Sequence, residues 1–104
     1  MKVFTKTALR ETKRIHNLSC QYNGAGKAHE EKLLSLMRKH IDEIENLYKH
    51  NNEHFLIETG DLAILCLEMF LENKVVSDDI ISICFERYDK KLKSLIKMRN
   101  NEAS

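Results

Sequence analysis

The chain has 104 residues, 42% hydrophobic and 32% charged, with 17 basic and 16 acidic side chains leaving a formal net charge of +1. That length holds one small domain with a modest core, which small helical chains often supplement by oligomerising. The near-neutral balance argues against a nucleic-acid-binding surface, which needs a strong or one-sided excess of cations. Only Lys90, Lys91, Lys93, Lys97 and Arg99 cluster, and cations near a helix C-terminus also complement its dipole. Cys20, Cys66 and Cys84 form no CxxC pair and are odd in number, so no disulfide framework is expected and the compartment is a reducing one. The N-terminal segment lacks the apolar run of a signal peptide. The longest apolar stretch, Leu62 to Leu71, is interrupted by Glu68 and falls short of the roughly 20 residues of a membrane span. The expectation is a cytoplasmic protein without a membrane segment.

No proline and three glycines leave few places to break a helix, so the chain reads as all-α. Residues 4–18 predict a first short helix, and Gln21–Lys27, with Gly24 and Gly26, predicts a loop. From Ala28 to Lys49, Leu33, Met37, Ile41, Ile44 and Leu47 recur at helical spacing. Asn51-Asn52 predicts a turn, because Asn tolerates the left-handed backbone. A third helix follows over about 53–72. It is apolar nearly all round between Leu62 and Leu71, which predicts cover on more than one side. Gly60 within it suggests a close approach to the backbone. Ser77 caps a fourth helix with Asp78 and Asp79 in its first turn, running to about Leu95. The expected architecture is a small antiparallel bundle of about four helices in a single domain. Residues 1–27 form its N-terminal helix and loop, 28–98 its core helices and 99–104 a tail.

Acids meet apolar faces at two places. Glu43 and Asn46 on the second helix are three apart, as are Glu58 and Asp61 on the third, so each pair shares a helix face. Folding the chain at Asn51-Asn52 brings the two pairs to nearly the same height on antiparallel neighbours. Converging carboxylates repel unless a cation sits among them, and Mg²⁺ takes hard oxygen ligands while keeping places for water and phosphate. The alternative is that these acids are solvent-facing residues of amphipathic helices, as Arg38, Asp42, Glu45 and Lys49 are expected to be.

The paired pattern resembles the all-α nucleoside triphosphate pyrophosphohydrolases of the MazG type. Their signature is an EExxE segment on one helix followed by ExxD on the next. IETGDL at 57–62 is similar to the second half, glycine included, and IDEIENL at 41–47 reproduces the hydrophobic frame of the first. There Asp42 and Glu43 take the leading acids, and Asn46 stands where the family has its third acid. The likeness covers about residues 31–95. It implies Mg²⁺ held by Glu43, Asn46, Glu58 and Asp61, with Glu43, Glu58 and Asp61 catalytic. It also implies a nucleotide substrate cleaved to a nucleoside monophosphate and pyrophosphate, and a homodimer or homotetramer. Asn46 removes one charge from that set, so the rival reading is a non-catalytic helical protein-interaction module on the same fold.

Two further segments resemble motifs whose context they lack. His50-Asn51-Asn52-Glu53-His54 fits the H-x-x-E-H peptidase pattern, but an Asn-Asn turn splits it. Asn23–Lys27 lacks the spacing and the preceding strand of a phosphate loop, though Lys27 at a helix N-terminus is a candidate for substrate phosphate. His16, His29 and His40 belong to no motif.

Overall fold

A computed structural model describes residues 3–103, and among them the chain is all-α: α1 (Lys6–Asn23), α2 (Lys27–Lys49), α3 (Phe55–Glu72) and α4 (Ser77–Ala103), with no strand. Among the described residues no helix is long and apolar enough to cross a membrane. Thr5 caps α1 from extended backbone, its Oγ1 accepting the Ala8 N–H at 3.0 Å. The predicted loop is shorter than expected. The Gly24 N–H reaches the Cys20 carbonyl and carries α1 through Asn23, so only Gly24–Gly26 connect the helices. Gly24 and Gly26 hold φ of 83° and 70°, backbone that favours glycine.

Asn51 turns the chain between α2 and α3 at φ 55°, and the Asn52 side chain accepts the His54 N–H at 2.9 Å. Tyr48 and Phe55 stack edge to face across this turn with centroids 5.5 Å apart. Further along, His40 faces Glu58 and His29 faces Glu72. Numbers fall on one helix as they rise on the other, so α2 and α3 are antiparallel. α1 lies across the C-terminal half of α3, with His16 against Glu68 and Cys20 against Glu72. The chain then turns at Lys74, φ 56°, into α4.

Among the described residues, Leu33 and Leu65 are the buried apolar side chains, whereas Thr12, His16, His29, Glu68 and Ser77 are buried polar ones. Polar side chains thus make up most of the fully enclosed interior. Glu68, the residue that interrupts the apolar run of α3, is the best-covered residue of that helix at 3% exposure. Ala63, Ile64 and Cys66 on the other side stay exposed, so the chain itself supplies cover on one side only. A side chain at Gly60 would meet nothing within 4 Å, which leaves no close approach there.

α4 extends past the expected end near Leu95 to Ala103 and packs against α3 alone among the helices. Asp78 ties its start to the N-terminal segment by accepting the Val3 and Phe4 N–H groups. Every residue from Phe85 to Glu102 is exposed. The radius of gyration is 17.1 Å, against about 13 Å for a compact domain of this length.

With so few buried apolar groups, each contributes a large share of stability. Leu33, 0% exposed, packs in the middle of the α2–α3 seam. Leu33→Ala is expected to cost about 3 kcal/mol through lost transfer energy and the cavity left behind. Urea denaturation followed by circular dichroism checks it. A loss below about 1 kcal/mol would mean that the seam collapses freely around the gap.

Candidate functional site

The α2–α3 seam is layered. Leu33 and Leu65 form its apolar middle, and polar layers lie to either side. The layer nearer the turn contains three of the acids expected from sequence, together with His40. One ligand atom each from His40, Glu43 and Glu58 fall within 4.8 Å of one another. His40 Nε2 stands 3.4 Å from Glu58 Oε2 and 3.8 Å from Asp61 Oδ2. His54 Nε2, from the turn, is 3.6 Å from Glu58 Oε1.

Helix geometry explains which residues arrive. At about 100° per residue, His40 lies about 20° from the direction of buried Leu33 on α2, and Glu43 about 80°. Asn46 lies about 140° away, nearly on the opposite side. It is accordingly exposed, lining an open groove with Asp42, Glu45 and Lys49. That groove is the polar stripe expected of those residues, and Lys49 pairs with Glu45 at 2.7 Å. The structure therefore brings Glu43, Glu58 and Asp61 together and leaves Asn46 outside, with His40 in the place expected for a fourth ligand. The position of His40 seven residues beyond Leu33 was the available signal. On α3, Glu58 lies seven residues before Leu65 and so points along the same direction.

Electrostatics make this cluster tense. Burial pushes the Glu58 carboxyl above its ordinary range, and the Glu43 carboxyl, hydrogen-bonded and charged beside it, pushes it further. His40 pulls it down and Asp61 raises it again. The His40 ring is oriented by its Nδ1, which donates to the Leu36 carbonyl at 2.9 Å. A neutral imidazole held that way turns an Nε2 lone pair toward Glu58. Glu58 Oε2 is buried and has no hydrogen-bond partner. Two lone-pair donors thus face each other in a part-buried gap, an arrangement that a cation relieves. Nitrogen from one histidine and oxygen from three carboxylates suit Mg²⁺ or Mn²⁺.

Lys27 lies elsewhere. It opens α2, about 24 Å along the helix axis from Glu43, and is exposed. The neighbouring Gly26 N–H already donates to the Glu72 carboxylate, so an anion occupies the position where a phosphate would dock. His50 and His54 do not form a paired site: Asn51 and Asn52 separate them, and His50 Nδ1 donates to the Asn46 carbonyl. In the lysine-rich stretch, Lys90 pairs with Glu86 and Lys93 with Asp89. No family model, curated protein or solved structure matches the chain.

Proposed function

We propose that the chain is a divalent-metal-dependent nucleoside triphosphate pyrophosphohydrolase of MazG type, with Glu43, Glu58, Asp61 and His40 holding the ion. The observation that carries this reading is the buried, unpartnered Glu58 Oε2, with His40 Nε2 3.4 Å away and two further carboxylates beside it. Bound there, Mg²⁺ supplies Lewis-acid charge for a triphosphate. Glu58 and Glu43 fix the ion from facing helices. Asp61, half exposed, borders the open side where a substrate would enter. His54, at the mouth of the cluster, is placed to orient a water through its contact with Glu58.

The same reading takes the chain to be a homo-oligomer, a dimer or a tetramer, because α3 and α4 leave apolar faces uncovered. Those faces also suit the rival interaction module, and catalysis separates the two. Incubation with each common ribo- and deoxyribonucleoside triphosphate, with Mg²⁺ or Mn²⁺, is expected to release pyrophosphate and the monophosphate. Chelation should stop the reaction. Absence of pyrophosphate across the whole set with either metal would refute the enzyme reading.

A further inference from the structure

The second polar layer of the seam lies at the far end of α3, about 15–21 Å along that helix from Glu58. It gathers side chains from three helices: His16 and Cys20 from α1, His29 from α2, and Glu68 and Glu72 from α3. We infer that His16 Nε2, Cys20 Sγ, His29 Nδ1 and Glu72 Oε2 form a closed four-coordinate site for a zinc-class transition metal, separate from the acidic cluster and independent of the function proposed above.

Four ligand atoms, one from each residue, lie within 4.8 Å of one another. His16 Nε2 is 3.2 Å from Glu72 Oε2 and 3.5 Å from Cys20 Sγ. His29 Nδ1 is 3.0 Å from Glu72 Oε2, and Cys20 Sγ is 3.8 Å from the same oxygen. Zinc bonds of about 2.0–2.3 Å at tetrahedral angles place neighbouring ligands about 3.3–3.7 Å apart. The existing separations bracket that range.

The outer atoms are also arranged as a metal site requires. His16 Nδ1 lies 3.2 Å from Glu68 Oε1, which as a carboxylate can only accept, so the ring proton sits there and Nε2 is left with a lone pair. His29 Nδ1 donates to Glu72 Oε2 at 3.0 Å, and the Ser19 hydroxyl, 2.9 Å from Nε2, donates to that other nitrogen. A metal at Nδ1 would move the ring proton to Nε2, where Ser19 Oγ can turn to accept it. His16 Nε2 thus points a lone pair at Glu72 Oε2 from 3.2 Å, a repulsive contact that a cation relieves. A ligating histidine whose other nitrogen is hydrogen-bonded to a carboxylate or hydroxyl is the usual outer arrangement of a metal site.

Burial and donor softness select the metal. His29 is fully buried, and Glu68 and Glu72 side chains are 4% and 8% exposed. One thiolate and two imidazoles favour Zn²⁺ over Mg²⁺ or Ca²⁺. Four protein ligands leave no open position, so the ion would be structural, clamping α1 onto the α2–α3 hairpin in a protein with few buried apolar side chains.

Co²⁺ titration of the full-length, metal-stripped protein tests this. One equivalent should give the intense ligand-field bands of tetrahedral Co²⁺ and a thiolate charge-transfer band, both displaced by Zn²⁺. Cys20→Ser should remove the charge-transfer band, whereas Cys66→Ser and Cys84→Ser should retain it. His29→Ala should weaken Zn²⁺ binding about 100-fold or more. Glu58→Gln should leave the spectrum intact. A weak octahedral spectrum, or a charge-transfer band that survives Cys20→Ser, would overturn the assignment. Because Cys20→Ser is a near-isosteric change at a part-buried position, its result remains readable even where His29→Ala fails to fold.

Discussion

Replacing Glu58 with glutamine is expected to abolish metal-dependent pyrophosphate release, by about 100-fold or more, while raising the melting temperature of the metal-free protein. The two effects have one cause. Glu58 lies in a part-buried gap beside Glu43 and Asp61, and its carboxyl is pushed above the ordinary range by burial and then by Glu43. An acid with a raised folded-state pKa is easier to keep protonated in the folded protein than in the unfolded chain. Its contribution to stability is fully present below the unfolded pKa and is lost as pH rises through the folded value. Ionising Glu58 in the metal-free protein therefore works against the fold. Glutamine removes that charge but cannot replace it as a ligand.

Differential scanning fluorimetry separates the consequences. Without metal, Glu58→Gln should melt a few degrees above the wild type at pH 7, and the gap should close toward pH 4. With Mg²⁺, the wild type should gain stability by mass action and the variant should gain little. A variant that melts lower than the wild type, or retains the Mg²⁺ response, would show that Glu58 is not the strained centre of a cation site.

How much of this site the sequence revealed follows from helix register. Glu58 and Asp61 were legible because they flank a glycine three residues apart on a helix whose turn was marked by Asn51-Asn52. Glu43 was legible from the same register. His40 was not, because it belongs to no motif and its relevance depends on its angle from Leu33. Asn46 shares the three-residue spacing from Glu43, yet that step rotates the position a further 60° or so away from the seam.

The second polar layer was less accessible still. His16 and Cys20 are four apart, as are Glu68 and Glu72, and each pair shares a face; no local rule indicates that those faces meet. Glu68 looked like an interruption in an apolar run, where burial against His16 is what makes its charge tolerable. The helix order was legible because glycines and asparagines mark the turns. The extent of α4 was not, since its lysines resemble a tail while Glu86–Lys90 and Asp89–Lys93 pairs support the helix as far as Lys93.

Substituting Leu92 and Leu95 together with lysine is expected to convert an oligomer to a monomer without impairing the acidic cluster. Ile81, Phe85, Tyr88, Leu92 and Leu95 recur at alternating intervals of four and three along α4, the spacing of a helix seam that seeks a partner helix. Phe85, Tyr88, Leu92 and Leu95 are all at least half exposed, and among the described residues α4 packs against no helix but α3. An isolated helix of this length is marginal in water, so its order depends on packing. The α4 seam of a second copy matches its length and pattern, and the ion pairs of α4 can remain on its outer face. Two lysines placed in the seam would face each other across a symmetric interface and add repulsion to lost burial. Sedimentation velocity on both proteins reads the outcome directly. A wild type that is monomeric at about 100 μM, or a variant that stays assembled, would show that α4 is not the oligomer interface. Retained Mg²⁺ stabilisation in the dissociated variant would place the metal cluster within a single chain, as the opposition of His40 and Glu58 across one hairpin requires.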